Sequence, residues 1–233
     1  MEPSLNIHPS YDVKTPIEED YKTRERWNGA HNAHNTGALS GSPAEEVFRH
    51  HHLTELIKPN IVVLDIGVGL GQMSQCLSEM GCIVDALDVA DAAEATVKDY
   101  IRNFYLDEHC NKLPTEEYDV AISHIVAQHQ TERMIKRQVK EVFRALKPGG
   151  VFSLHSAVST DEKNVPNNIP GPIPPGRDGA MCRTTDHFRA MIEQVLRDEF
   201  GLQGWAVKLL RHVVNWPEFG SRWYFVHICR FAS

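Results

Sequence analysis

Hydrophobic positions along this chain fall into short unbroken runs that alternate with stretches of helical spacing. The run at residues 61–64, Ile-Val-Val-Leu, is short and β-branched, as a strand buried on both faces of a parallel sheet should be. Similar runs at 83–87, 118–123 and 151–155, with a shorter one at 103–106, predict four further strands. Helices are expected between them at 72–80 and 91–99. From Thr131 the apolar positions Ile135, Val139, Val142, Phe143 and Leu146 recur at helical spacing until Lys147-Pro148-Gly149-Gly150 stops the pattern. Upstream, Ser42-Pro43-Ala44-Glu45 is a capping box with proline at the first helical position, which predicts a helix over 43–57. Downstream, Thr185 caps a helix whose Phe188, Met191, Ile192, Val195, Leu196 and Phe200 share one face, ended by Gly201. Two strands at 206–215 and 222–231 close the chain, near enough in sequence to pair antiparallel. Strands alternating with helices imply an α/β fold, a mostly parallel sheet with helices on both faces.

One stretch lacks periodicity. Residues 156–180 are rich in proline, glycine and asparagine, and a loop of that length beside a strand end is expected to act as a lid.

The chemistry is concentrated after the first strand. Asp65 ends the apolar run and is followed by Gly67, Val68, Gly69, Gly71 and Gln72, a turn whose backbone can approach a ligand because no Cβ intervenes. A dinucleotide fingerprint would want its third glycine where Gln72 stands, and no Lys-Ser/Thr pair follows to make a phosphate loop. The second strand ends in Asp88, placed to accept hydrogen bonds from two ribose hydroxyls.

An acid followed by Gly-x-Gly-x-Gly, with a second acid after the next strand, resembles the class I S-adenosylmethionine-dependent methyltransferases. So does Ser123-His124-Ile125-Val126-Ala127-Gln128-His129 before a helix and a Lys-Pro-Gly-Gly stop, which resembles the subgroup acting on sugars and natural products. The resemblance implies a Rossmann-like seven-stranded mostly parallel sheet with one antiparallel strand, and S-adenosyl-L-methionine as cofactor. It puts Asp65 and the glycine turn beside the methionine portion, Asp88 on the ribose, Val89 near the adenine, and Asp107 or its neighbours at the adenine edge. Ser123 and His124 are implied cofactor contacts. His129, just ahead of the next helix, and His155, ending the fifth strand, are implied to face the acceptor as general bases, while a purely structural role stays open for both.

The sulfonium activates its own methyl group, so the protein's main task is alignment of acceptor, carbon and sulfur. An alcohol must also lose a proton, and a neutral imidazole suits that step. A histidine-lined rim therefore favours O-methylation of a sugar or natural product. An N-methyltransferase and a non-methyltransferase nucleotide-binding protein stand as alternatives.

Residues 1–42 are read as a segment covering the cofactor, with Tyr21 or Trp27 over it, and 43–233 as the methyltransferase domain. The run His50, His51, His52 points in directions about 100° apart on a helix, so it cannot converge on one ion. His31 and His34 have helical spacing but no third ligand at ligand spacing, and no metal site is expected. With 233 residues and 42% hydrophobic content the chain suits one domain. A formal charge of −7 without a Lys/Arg cluster argues against nucleic acid, and no long apolar segment argues for a membrane. The five scattered cysteines are expected as reduced thiols in a cytoplasmic protein, and a homodimer is left open.

Overall fold

The computed structural model describes residues 15–32, 44–159, 185–210 and 221–232. Its elements are α1 (Pro16–Asn32), α2 (Ala44–His50), β1 (Val62–Ile66), α3 (Gln72–Glu79), β2 (Ile83–Asp88), α4 (Glu94–Val97), β3 (Asn103–Leu106), β4 (Tyr118–Ser123), α5 (Glu132–Ala145), β5 (Leu146–Ser159), α6 (Thr185–Phe200), β6 (Trp205–Leu210) and β7 (Ser221–Arg230). They form a seven-stranded sheet in the order β3-β2-β1-β4-β5-β7-β6. β1 pairs in parallel with β2 and β4, and β4 in parallel with β5, while β7 runs antiparallel to both β5 and β6. The expected mostly parallel sheet with one antiparallel strand is the observed one.

The first apolar run is buried on both faces, as its composition requires. All five residues of β1 are buried. On one face the sheet meets the apolar stripes of α5 and α6 through Ile135, Val139, Phe188 and Ile192, and on the other it meets Val47, Phe48, Met73 and Leu77 of α2 and α3. The acid in the middle of β2, Asp85, is fully buried and satisfied by Arg102, Asn103 and the Tyr118 hydroxyl. Among the described residues no helix is long and apolar enough to cross a membrane.

Three sequence boundaries are corrected. The helix expected over 43–57 ends at His50, because Leu53 N–H reaches back to Phe48 O (2.9 Å), His52 N–H bonds Arg49 O (3.1 Å), and His52 takes a left-handed φ of 53°. Those bonds make a Schellman closure with histidine where glycine is usual. It turns His51 inward, fully buried, and leaves His52 exposed. The helix expected over 91–99 is a 3₁₀ turn, Asp91–Ala93, running into one turn of α-helix, α4. The Lys147-Pro148-Gly149-Gly150 stop does end α5, but strand pairing begins at Leu146 and continues to Ser159, with the register shifting between Tyr118 and Val120 of β4. The remainder of the lid expected at 156–180, the strand end at 211–215, the capping box at Ser42 and Pro43, and His34 lie outside the described residues.

Candidate active site

The parallel strands β1, β4 and β5 end on one edge of the sheet, where ligands of such sheets bind. A pocket there is lined by Asp65, Ile66, Gly67, Val68, Gly69, Leu70, Gln72, Met73, His124 and Ile125. The glycine turn forms its wall. Gly67, Gly69 and Gly71 all have positive φ, at 73°, 52° and 80°, a region that costs an L side chain about 1–2 kcal/mol. The Gly67 amide donates to Leu87 O (2.7 Å), which ties the turn to the end of β2. Gly71 is also sterically fixed, since a Cβ there would lie 2.9 Å from both the Thr96 carbonyl oxygen and Val97 Cγ1. We expect Gly71→Ala to destabilise the fold by about 1–3 kcal/mol, seen as a lower urea midpoint. An unchanged midpoint would mean that the Thr96 turn yields without cost.

Two carboxyls flank the turn. Asp65 is buried and accepts from Ser74 Oγ (2.6 Å), and burial pushes its pKa up to about 6. Asp88 is likewise pushed up to about 6 by burial, and the partners that draw it back are backbone amides, those of Ala90 (2.9 Å), Gly69 and Val89. Val89 is half-buried. A buried carboxyl held only by amides keeps acceptor capacity for hydroxyls. Ser123 Oγ, fully buried behind His124, has no hydrogen-bond partner among the described residues.

Asp107, which the resemblance puts with its neighbours at the adenine edge, is held within the protein. Its buried carboxylate takes hydrogen bonds from Arg137 Nη2 and Gln138 Nε2 of α5, and Arg137 also bridges to Asp20 of α1 (3.1 Å). That network docks α1 onto the domain, aided by Arg133 to Asp20 (2.6 Å) and Arg24 to Glu108. The docking separates the two aromatics proposed as covers. Trp27 packs on the cluster of Val68, Ala86, Ala90, Ala93 and Val97, and Asn28 Oδ1 beside it accepts from Ala92 N–H (3.0 Å). Tyr21 points away, 57% exposed, donating its hydroxyl to Glu25 (2.7 Å).

The histidines divide too. His129 closes a 3₁₀ turn, Ala127–His129, half-buried, its ring edge-on to Trp27 at 5.2 Å. His155 is buried, stacked between His124 and Phe225, with ring centroids 4.5 Å apart on each side. Burial lowers the pKa of His155 well below the usual imidazole value, and that of His124 to about 3. Sequence reasoning missed Ile66, Leu70, Met73 and Ile125 in the pocket wall. Ile125 carried one local signal only in the structure: a β-branched residue at φ 58° is strained, as residues at functional sites often are.

Comparison with known proteins agrees with this geometry. Residues 64–154 match the family model described as "Methyltransferase domain". The chain is 27% identical over 122 residues to 2-methyl-6-phytyl-1,4-hydroquinone methyltransferase of Synechocystis, covering 49% of this chain and 38% of that protein. It thus spans less than half the length of the first curated relatives it matches. In structure it resembles 1,6-didemethyltoxoflavin-N1-methyltransferase of Burkholderia thailandensis, with TM-score 0.64 and 17% identity over 94% of this chain and 92% of that one. It also resembles the [4+2]-cyclase SpnF, with TM-score 0.61 and 13% identity over 82% and 80% of the two chains. The shared fold is therefore that of the class I methyltransferases, and it carries more than one chemistry.

Proposed function

We propose that this class I methyltransferase fold serves S-adenosylmethionine-dependent methylation of a small molecule, with a hydroxyl of a sugar or natural product as acceptor. The observation that carries the reading is the left-handed glycine turn set between two buried carboxyls, Asp65 and Asp88, with amides as the partners of Asp88. The residues fit the cofactor by their donor set: amides and a close backbone approach for the methionine end, and carboxylate acceptors for the ribose hydroxyls. When bound, the cofactor supplies an electrophilic methyl group. The chain's own residues then bind, orient and exclude water. α1 lies over the adenosine side through Trp27 and Asn28, which supports the reading of the N-terminal segment as a cover. His129, beside Trp27 and just ahead of α5, takes the base role, since His155 is stacked beneath the pocket.

Calorimetry tests the cofactor. S-adenosylmethionine and its demethylated product should bind and NAD should not. Because the ionised Asp88 is the better acceptor and its pKa is pushed up to about 6, affinity should be constant above that pH and fall about tenfold per unit below it. Tight NAD binding, or no binding of the demethylated product at any pH, would overturn the assignment.

A further inference from the structure

Three histidines meet beside the pocket. His51 follows α2, His124 follows β4, and His155 lies in β5; one ring nitrogen of each falls within 4.8 Å of the others. Sheet register brings two of them together: Ser123 pairs with Leu154 in parallel, so the next residues emerge side by side. The Schellman turn after α2 delivers the third. We propose that His51, His124 and His155 form a binding site for a divalent transition-metal cation of the zinc type, its open position toward the pocket.

The donor chemistry fits. Imidazole suits zinc and its neighbours, and three such ligands leave one position of a tetrahedron free. His51 Nε2 and His124 Nδ1 face each other at 3.0 Å, against about 3.3–3.4 Å for two nitrogens on one tetrahedral zinc. The third ring, His155, lies stacked on His124 at 4.5 Å and must turn out of that stack to present a nitrogen to the same ion. The far nitrogen of His51, Nδ1, meets Ser153 Oγ at 2.7 Å, so its proton can be donated there, leaving the Nε2 lone pair for the ion. Metal-ligating histidines are typically fixed by such a second bond. His227 Nε2 donates to the His51 carbonyl (2.6 Å) and holds that backbone in place. Phe225 closes the site with an apolar wall, edge-on to His51 at 4.6 Å and stacked on His155. His124, the half-buried member, lines the pocket and offers the route in. The hydrogen bond between His51 Nε2 and His124 Nδ1 must give way to the ion, and the Ile125 amide donates to His155 Nδ1 at 3.3 Å, at the long end for such a bond.

The test is a Co²⁺ titration of the full chain, stripped with a chelator and read by visible absorption. One equivalent should bind with the intense bands of a tetrahedral nitrogen-ligated ion, displaced by Zn²⁺. His124→Ala, at the least buried ligand, should weaken Zn²⁺ binding at least 100-fold by equilibrium dialysis, whereas His109→Ala, at an exposed histidine outside the cluster, should leave it intact. Circular dichroism of both variants checks folding, and the titration of the unmodified chain decides the matter even if His124→Ala fails to fold. Absence of tetrahedral bands, or binding that survives in folded His124→Ala, overturns the proposal and leaves the three rings as a hydrogen-bonded core cluster.

Discussion

Asp88→Ala should weaken binding of S-adenosylmethionine by about 10²-fold or more, since each charge-assisted hydrogen bond lost is worth about 1.5–3 kcal/mol and a ribose offers two hydroxyls. Burial raises the folded-state pKa of Asp88 to about 6, above the ordinary carboxylate value of about 3.9. The folded chain then binds more protons than the unfolded one between those values, so stability is greatest in acid and declines as pH rises through about 6. Asp65 has the same direction of shift and adds to the decline. On the proposed reading, bound cofactor should reverse part of this by giving the ionised Asp88 hydroxyl donors. Asp88→Asn separates the two acids: it keeps the shape but cannot ionise. In it the fall of cofactor affinity below about pH 6 should vanish if Asp88 causes it, and should persist if Asp65 does. Calorimetry across pH 5–8 reads both, and unchanged affinity in Asp88→Ala at pH 7.5 would remove the ribose assignment.

The parts of the site that were legible in the sequence are those fixed locally. A glycine turn and an acid closing a strand announce themselves within a few residues, because left-handed φ and strand ends leave direct marks. The mostly parallel character of the sheet followed from the alternation of strands and helices. What could not be read depends on contacts distant in sequence. Asp107 follows the third strand, and its carboxylate is held by Arg137 and Gln138, thirty residues on, as part of the network that seats α1. Helix length in α2 was overestimated because the Schellman closure uses His52 in a left-handed conformation, with no glycine to signal it. That same turn buries His51. On a continuous helix the three adjacent histidines would diverge in steps of about 100°. The helix stops before His51, and the ring joins His124 and His155 through parallel strand register instead. Two histidines immediately following, or ending, neighbouring strands were visible beforehand; their meeting with a third was not.

His129→Ala should lower turnover by roughly 10²–10⁴-fold while leaving cofactor affinity nearly intact, if its imidazole removes the acceptor's hydroxyl proton. The residue is placed by two features that survive its replacement. The 3₁₀ turn is closed by the His129 amide on Val126 O (2.8 Å), a backbone bond, and the following helix α5 keeps its own Thr131 cap on Met134 N–H (3.3 Å). Loss of the ring should therefore cost chemistry more than folding. The sign of the pH effect is fixed by the base role: only the neutral imidazole accepts a proton, so turnover should rise with pH through the imidazole's titration and level off above it. In His129→Ala that rise should disappear. His155 provides the contrast, since it is stacked between two rings and accepts from the Ile125 amide (3.3 Å). Its replacement should disturb the strained Ile125 turn, and with it cofactor binding, before it alters the pH profile. Near-normal turnover in His129→Ala with a flat profile between pH 6 and 8 would make that histidine structural. Alignment alone would then drive the reaction, as an amine acceptor that reacts through its own lone pair permits, and N-methylation would replace O-methylation as the reading of this site.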